Sequence, residues 1–251
     1  MAESRRLPIK MTVDQLIALI ASVGACLAAV ATFLTVREMA MQRTASYHPE
    51  LVISRTLFES RPISVGHLPT SWVASNEKDS GRKNENAELR FSVPLNNIGL
   101  GAAKNLEVQW DFPIEEITKE IATLAAKTTV PANISFKNGM FSIRSDVLGT
   151  ATSIWTNERS TKIDYVLPAA EQREGTEVKI PLTYIMATSA LLYFSFATKS
   201  EQLSIPALTA TIRYQDIADS SYRTSFDIQF RLIMLSENSF HAILEAERKL
   251  N

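Results

Sequence analysis

Cysteine is almost absent from this chain. The 251 residues hold one, Cys26, and it lies inside an apolar run, which excludes an intramolecular disulfide and a thiolate metal site built from a single chain. An excess of charge of either sign is also missing, because 26 Lys and Arg stand against 27 Asp and Glu. No long-range field then exists to gather a nucleic acid or an acidic substrate, and no nucleic-acid partner is expected. Histidine is scarce: His48, His67 and His241 lie far apart, and His48 with Glu50 is the nearest approach to metal-ligand spacing, so no metal site is expected. The chain lacks a serine-nucleophile elbow and a glycine-rich loop ending in Lys-Ser or Lys-Thr. Gly99-Leu100-Gly101 fails as a dinucleotide fingerprint, because Lys104 stands where the third glycine would be. Asp146 with Asp164, and Asp216 with Asp219, pair on paper, but Asp in loops chiefly builds turns. No catalytic, cofactor-binding or metal residue is therefore expected, and the chain does not read as an enzyme.

What the chain has instead is one long apolar run. Leu16 to Val36, LIALIASVGACLAAVATFLTV, contains no charge and no proline, and at about 1.5 Å per residue such a helix covers roughly the 30 Å of a bilayer's hydrocarbon core. A buried helix of a soluble domain usually keeps a polar stripe, whereas nothing more polar than Ser22, Thr32 and Thr35 interrupts this one. A cleaved signal peptide would have a shorter core of about 7–15 residues and a small-x-small site, but here Arg37, Glu38 and Met39 follow. The sequence thus divides into an N-terminal flank (1–15), a transmembrane helix (16–36), a juxtamembrane linker (37–49) and a domain (50–251), located at the cell membrane. Arg5, Arg6 and Lys10 before the run against Arg37 and Arg43 after it lean toward a cytoplasmic N-terminus and an extracytoplasmic domain.

On a wheel at about 100° per residue, Ala21, Gly24, Ala25, Ala28 and Thr32 gather toward one face, with Thr35 above them and Asp14 at the N-terminal edge. Small residues at this spacing let two backbones approach closely in lipid, so this face is the candidate for helix packing and homo-oligomerisation. A monomeric Ala-rich anchor is the alternative.

Beyond the linker the patterning is mainly β. Strands are expected at Glu50–Leu57, Glu88–Pro94, Asn105–Phe112, Lys162–Leu167, Glu177–Ile180, Ser204–Tyr214 and Tyr222–Leu235, with Gly99 and Gly101 turning the second into the third. Asn138-Gly139 inside Asn133–Arg144 marks a hairpin with a type I′ turn. Pro113 opens an amphipathic helix carrying Ile114, Ile117, Ile121 and Leu124, expected to cap an open end of the sheets. Pro181–Ala197 is too short to cross a membrane and reads as a buried helix or helix-strand pair. Ser239–Leu250 reads as a terminal helix. Glu59–Ala87 reads as a long exposed polar loop and is the candidate contact region.

The segment Leu95-Asn-Asn-Ile-Gly-Leu-Gly-Ala-Ala-Lys-Asn-Leu-Glu-Val108 resembles the N-x-G-x-G-x-A-x-N turn of bacterial immunoglobulin-like, adhesion-type β-sandwiches. With Pro49 and the late hairpin Ile212–Asp216 to Tyr222–Phe226, the chain resembles a group of uncharacterised bacterial single-pass membrane proteins. That resemblance implies an immunoglobulin-like β-sandwich in a bacterial membrane setting and transfers no catalytic residue. The function expected is that of a membrane-anchored, non-enzymatic β-sandwich that binds a partner protein or ligand. The alternative is a membrane-perturbing effector whose domain senses a signal while its transmembrane helices cluster.

Overall fold

A computed structural model describes residues 12–61, 68–75, 91–172, 174–200, 204–235 and 239–249. The chain divides into two units, Met1–Tyr47 and His48–Asn251.

The first unit is the helix α1 (Val13–Ser46), 34 residues long. Thr12 and Gln15 start it as a reciprocal capping box, with the Thr12 amide donating to Gln15 Oε1 at 3.1 Å and the Gln15 amide to Thr12 Oγ1 at 3.4 Å. The helix runs on through most of the stretch expected as a linker, because Arg37-Glu-Met-Ala-Met-Gln42 are all good helix formers. It ends shortly before Pro49, whose ring disfavours helical geometry in the residue ahead of it. Within Val13–Gln42 an 18-residue window has a mean hydropathy of 2.4, and the stretch is long and apolar enough to cross a membrane.

The second unit is mainly β, with curled antiparallel sheets. Its elements are β1 (Leu51–Ile53), β2 (Thr56–Arg61), β3 (Ser71–Ala74), β4 (Ser92–Asn97), β5 (Ala103–Asp111), α2 (Ile114–Ala125), β6 (Asn133–Lys137), β7 (Met140–Ser145), β8 (Gly149–Ile154), α3 (Trp155–Glu158), β9 (Ser160–Val166), β10 (Thr176–Lys179), α4 (Leu182–Ala197), β11 (Leu208–Gln215), β12 (Ser221–Leu235) and β13 (Phe240–Arg248). A seven-stranded sheet runs in the order β3-β2-β13-β12-β11-β5-β9, and two three-stranded sheets run β1-β4-β10 and β6-β7-β8. The hairpin β6–β7 turns at Asn138 and Gly139 with φ of 53° and 74°, the left-handed pair that a type I′ turn requires.

Four expectations need correction. The terminal helix is a strand: β13 buries Phe240, Ala242 and Leu244 at period two and is flanked by β12 and β2, so tertiary pairing overrides the helical propensity of its Ala-Ile-Leu-Glu run. The expected strand Glu50–Leu57 is two, broken at Ser54 and Arg55, with β1 and β2 in different sheets. β4 and β5 do not pair with each other; the glycine-bearing connection carries the chain from the small sheet into the large one. The stretch 59–87 is not all loop: Glu59–Arg61 ends β2, and β3 places Trp72 in the core. Residues 62–67 and 76–87 of that stretch, including His67, lie outside the described residues.

The core is organised around α4, which buries 12 of its 16 residues. Tyr184 meets Trp72 of β3 and Phe112 edge-on, with ring centroids at 6.0 and 4.9 Å. Phe58, Phe91, Phe230 and Phe240 complete an aromatic cluster around Trp72. Two hydroxyls of α4, those of Thr183 and Ser189, reach across to other elements. Trp72 Nε1 donates to Ser189 Oγ at 3.1 Å, and Ser189 Oγ donates to the Pro69 carbonyl at 2.9 Å, an oxygen that also accepts from Ser60. At the N-terminus of α4 the Glu158 carboxylate accepts from the Thr183 amide at 2.9 Å and from Ser153 Oγ at 2.6 Å, placing negative charge at the positive end of the helix dipole. The amphipathic helix α2 packs its buried Ile114, Ile117, Ile121 and Leu124 in a layer against α4 and β6.

Candidate functional site

The small-residue face is on α1. Ala21, Gly24, Ala25, Ala28 and Thr32 are all exposed there, and a Cβ built on Gly24 meets nothing within 4 Å. Thr32 Oγ1 donates to the Ala28 carbonyl at 2.8 Å and Thr35 Oγ1 to that of Ala31 at 2.9 Å. Both hydroxyls are thus satisfied inside their own helix, which makes them inexpensive to place in hydrocarbon. Cys26 is exposed on the same helix as a free thiol.

In the β unit, an open polar cleft of about 460 Å³ lies where β5 and β12 begin and β11 ends, lined by Asn105, Glu107, Arg213, Gln215, Tyr222 and Arg223 among others. Its shape comes from a bulge. Arg213 faces Glu107 and Gln215 faces Lys104, so β5 carries one residue more than β11 across the interval. Asn105 absorbs the irregularity at φ 53°, a left-handed conformation that Asn tolerates, and its Nδ2 donates to Gln215 Oε1 at 2.9 Å. Arg213 and Arg223 lie directly opposite each other across β11 and β12. Glu107 accepts from Gln109 and Ser160, each at 3.2 Å, and those bonds hold its carboxyl below the usual range. The cleft therefore presents two guanidinium groups, one firmly ionised carboxylate and amide groups, a set suited to polar recognition.

Next to the cleft, the turn between β11 and β12 is built on Asp216. Burial pushes the Asp216 carboxyl up, but amide bonds from Ala218 at 2.8 Å and Ser220 at 2.9 Å, with the Tyr222 hydroxyl at 2.9 Å, outweigh it and hold it below its ordinary value. Tyr222 stacks on Tyr214 with centroids 5.5 Å apart and meets the His48 ring edge-on at 4.5 Å. Asp216 is thus a turn builder, and Lys104, not a carboxylate, sits 2.8 Å from Asp219.

A second recess, of about 230 Å³, is mostly apolar and lined by Leu68, Ile143, Leu148, Ala151, Leu182 and Met186 together with threonine hydroxyls. Among the described residues, no group of three or more His, Cys, Asp or Glu side chains could hold a metal ion. Sequence reasoning missed both recesses. The one trace of the cleft in the sequence is the hairpin Ile212–Asp216 to Tyr222–Phe226, which carries a resemblance and no chemical motif. Comparison with protein-family models, with curated proteins and with solved structures finds no match to this chain.

Proposed function

We propose that the protein is a single-pass, membrane-anchored binding module: α1 lies in the bilayer, and the β unit, immunoglobulin-like in kind and facing away from the cytoplasm of a bacterial cell, recognises a partner protein or ligand without catalysis. The observation that carries this reading is the contrast in how the two units meet their surroundings. Every described side chain of α1 is exposed, including an 18-residue window with mean hydropathy 2.4, while the β unit has a closed core of its own. An apolar surface of that size in water would be strongly unfavourable at about 25 cal/mol per Å², and lipid removes the cost. The polar cleft supports the binding half of the proposal, because its charges are surface groups held by a bulge and a turn and are not aligned on a buried reacting centre.

The test is alkaline extraction of membranes from cells making the full chain, followed by flotation with lipid vesicles. The protein is expected to stay with membranes after extraction and to float; recovery in the soluble fraction would end the anchoring proposal. A photo-crosslinking residue in place of Arg223 is expected to give a discrete adduct in living cells, and the same residue in place of Glu115, on the exposed side of α2, is not. Adducts that are the same at both positions, or absent at both, would reject the cleft as the recognition face.

A further inference from the structure

The chain enters the β unit at His48, and three connecting segments converge on that place. The turn after β4 is threaded under the incoming strand: a Cβ on Gly99 would stand 2.2 Å from the His48 carbonyl oxygen and 2.5 Å from the Glu50 nitrogen. Asn97 locks the junction, its Oδ1 accepting from the amides of Glu50 and Gly99 and its Nδ2 donating to the carbonyls of Gly101 and Val166. Lys104 pairs in register with Tyr165 of β9 and bridges to Asp219 in the turn after β11, and Tyr214 donates its hydroxyl to the Pro49 carbonyl. The sequence places large apolar side chains at the tips of these segments. Ile98, Leu100, Tyr165 and Ile217 are each between 58% and 64% exposed, and Leu167 follows β9 with 40%. Two of the ionised pairs among them close within the unit, Lys104 with Asp219 and Arg248 with Glu50.

We propose that this end of the β unit inserts into the bilayer interface, with Ile98, Leu100, Leu167 and Ile217 dipping below the headgroups and Tyr165 at their level. This rests on the anchoring reading of α1. The occupant is a lipid surface because of covalent reach: only Arg37–Tyr47 separates the apolar run from His48, a segment that covers no more than roughly 40 Å even when fully extended. Apolar tips with an amphipathic aromatic are the composition that partitions about 5–10 Å into the headgroup boundary.

The experiment uses the full chain in phosphatidylcholine nanodiscs with Cys26→Ser as background and one fluorescent cysteine at a time. Ile217→Cys and, independently, Leu100→Cys are expected to lose most of their emission to lipids spin-labelled near the headgroup. Ile233→Cys near the opposite end of β12 is expected to keep its emission, and Leu27→Cys is expected to be quenched by lipids labelled deep in the acyl chain. Quenching at Leu27 with none at Ile217 and Leu100, or with equal quenching at Ile233, overturns the proposal and leaves the anchor intact. Absence of quenching at Leu27 overturns the anchor itself. Emission changes at Ile217 that need a second copy of the chain in the disc, and not the labelled lipid, would assign the tips to self-association and also overturn the proposal.

Discussion

The two most apolar helices of the chain, α1 and α4, differ little in the kinds of residue they contain, yet one exposes every described side chain and the other buries three quarters of its length. Part of the difference lies in particular hydroxyls. In α1, Thr32 and Thr35 fold back onto carbonyls one turn earlier and ask nothing of a neighbour. In α4, Thr183 donates to Ser153 and Ser189 to the Pro69 carbonyl, so these polar atoms are satisfied only if other elements are present. Length adds to this: 34 residues extend about 50 Å and exceed a bilayer's core, whereas 16 residues reach only about 24 Å. A hydrophobic helix is therefore fitted to lipid or to a protein core by where its few polar groups find partners as much as by its apolar content.

A charge placed at equivalent depth in each helix would break the comparison most forcefully. Leu191→Asp puts an unpaired carboxylate at a position with no exposure and is expected to abolish the folded β unit, a loss above about 4 kcal/mol read as the disappearance of its cooperative melt. Leu27→Asp is expected to leave that melt unchanged and to lower the membrane-inserted fraction, at about 2.5–3.5 kcal/mol for a charge at the helix centre. If Leu27→Asp instead destabilised the β unit, α1 would belong to a protein core.

Truncation sharpens the contrast at smaller scale. Leu191→Ala is expected to cost about 2–5 kcal/mol in chemical denaturation, the cavity penalty of a packed site, while Leu27→Ala leaves the midpoint where it was. Enlargement works in the opposite sense. Ala190→Leu, at a fully buried position, is expected to cost about 1–3 kcal/mol by overpacking. Ala25→Leu with Ala28→Leu is expected to leave the β unit unaffected and to reduce self-association in bilayers; unchanged association would show that the small-residue face packs against nothing.

The smallest effect concerns pH. Burial pushes the carboxyls of both Asp216 and Asp227 up, yet both are held below their ordinary value, Asp216 by its turn amides and Tyr222, Asp227 by Lys249 and Thr209. A carboxyl depressed in the folded state contributes stability that is fully present above its unfolded value near 3.8 and is lost as pH falls through the lower folded value. The β unit is thus expected to weaken below about pH 4, near the ordinary carboxylate value. Asp216→Asn should flatten part of that decline and lower neutral-pH stability by about 1–2 kcal/mol, as measured by melts across pH.

Local signals were legible where one short segment decided the outcome. Asn138-Gly139 announced its turn, Ile114, Ile117, Ile121 and Leu124 announced α2, and the charge-free stretch from Leu16 announced a helix able to span a bilayer. They were not legible where distant residues arbitrate. Phe240–Arg248 has helix-forming composition and becomes a strand because β2 and β12 flank it on both sides. Trp72 alone, in a polar neighbourhood, gave little sign that it would seat against Ser189 from 117 residues away. The cleft was hidden for the same reason, since Asn105, Arg213 and Arg223 meet only through register and a bulge.

The order of the amino acids by itself determined a long apolar helix joined to a run of period-two strands; both are properties of neighbours a few residues apart. Tertiary structure alone decided which partners α4 is buried against, that the chain's last described element is a strand, and that Ile98, Leu100, Tyr165 and Ile217 share one end of the β unit. Those outcomes depend on contacts between residues far apart in sequence, whose energies no local pattern contains.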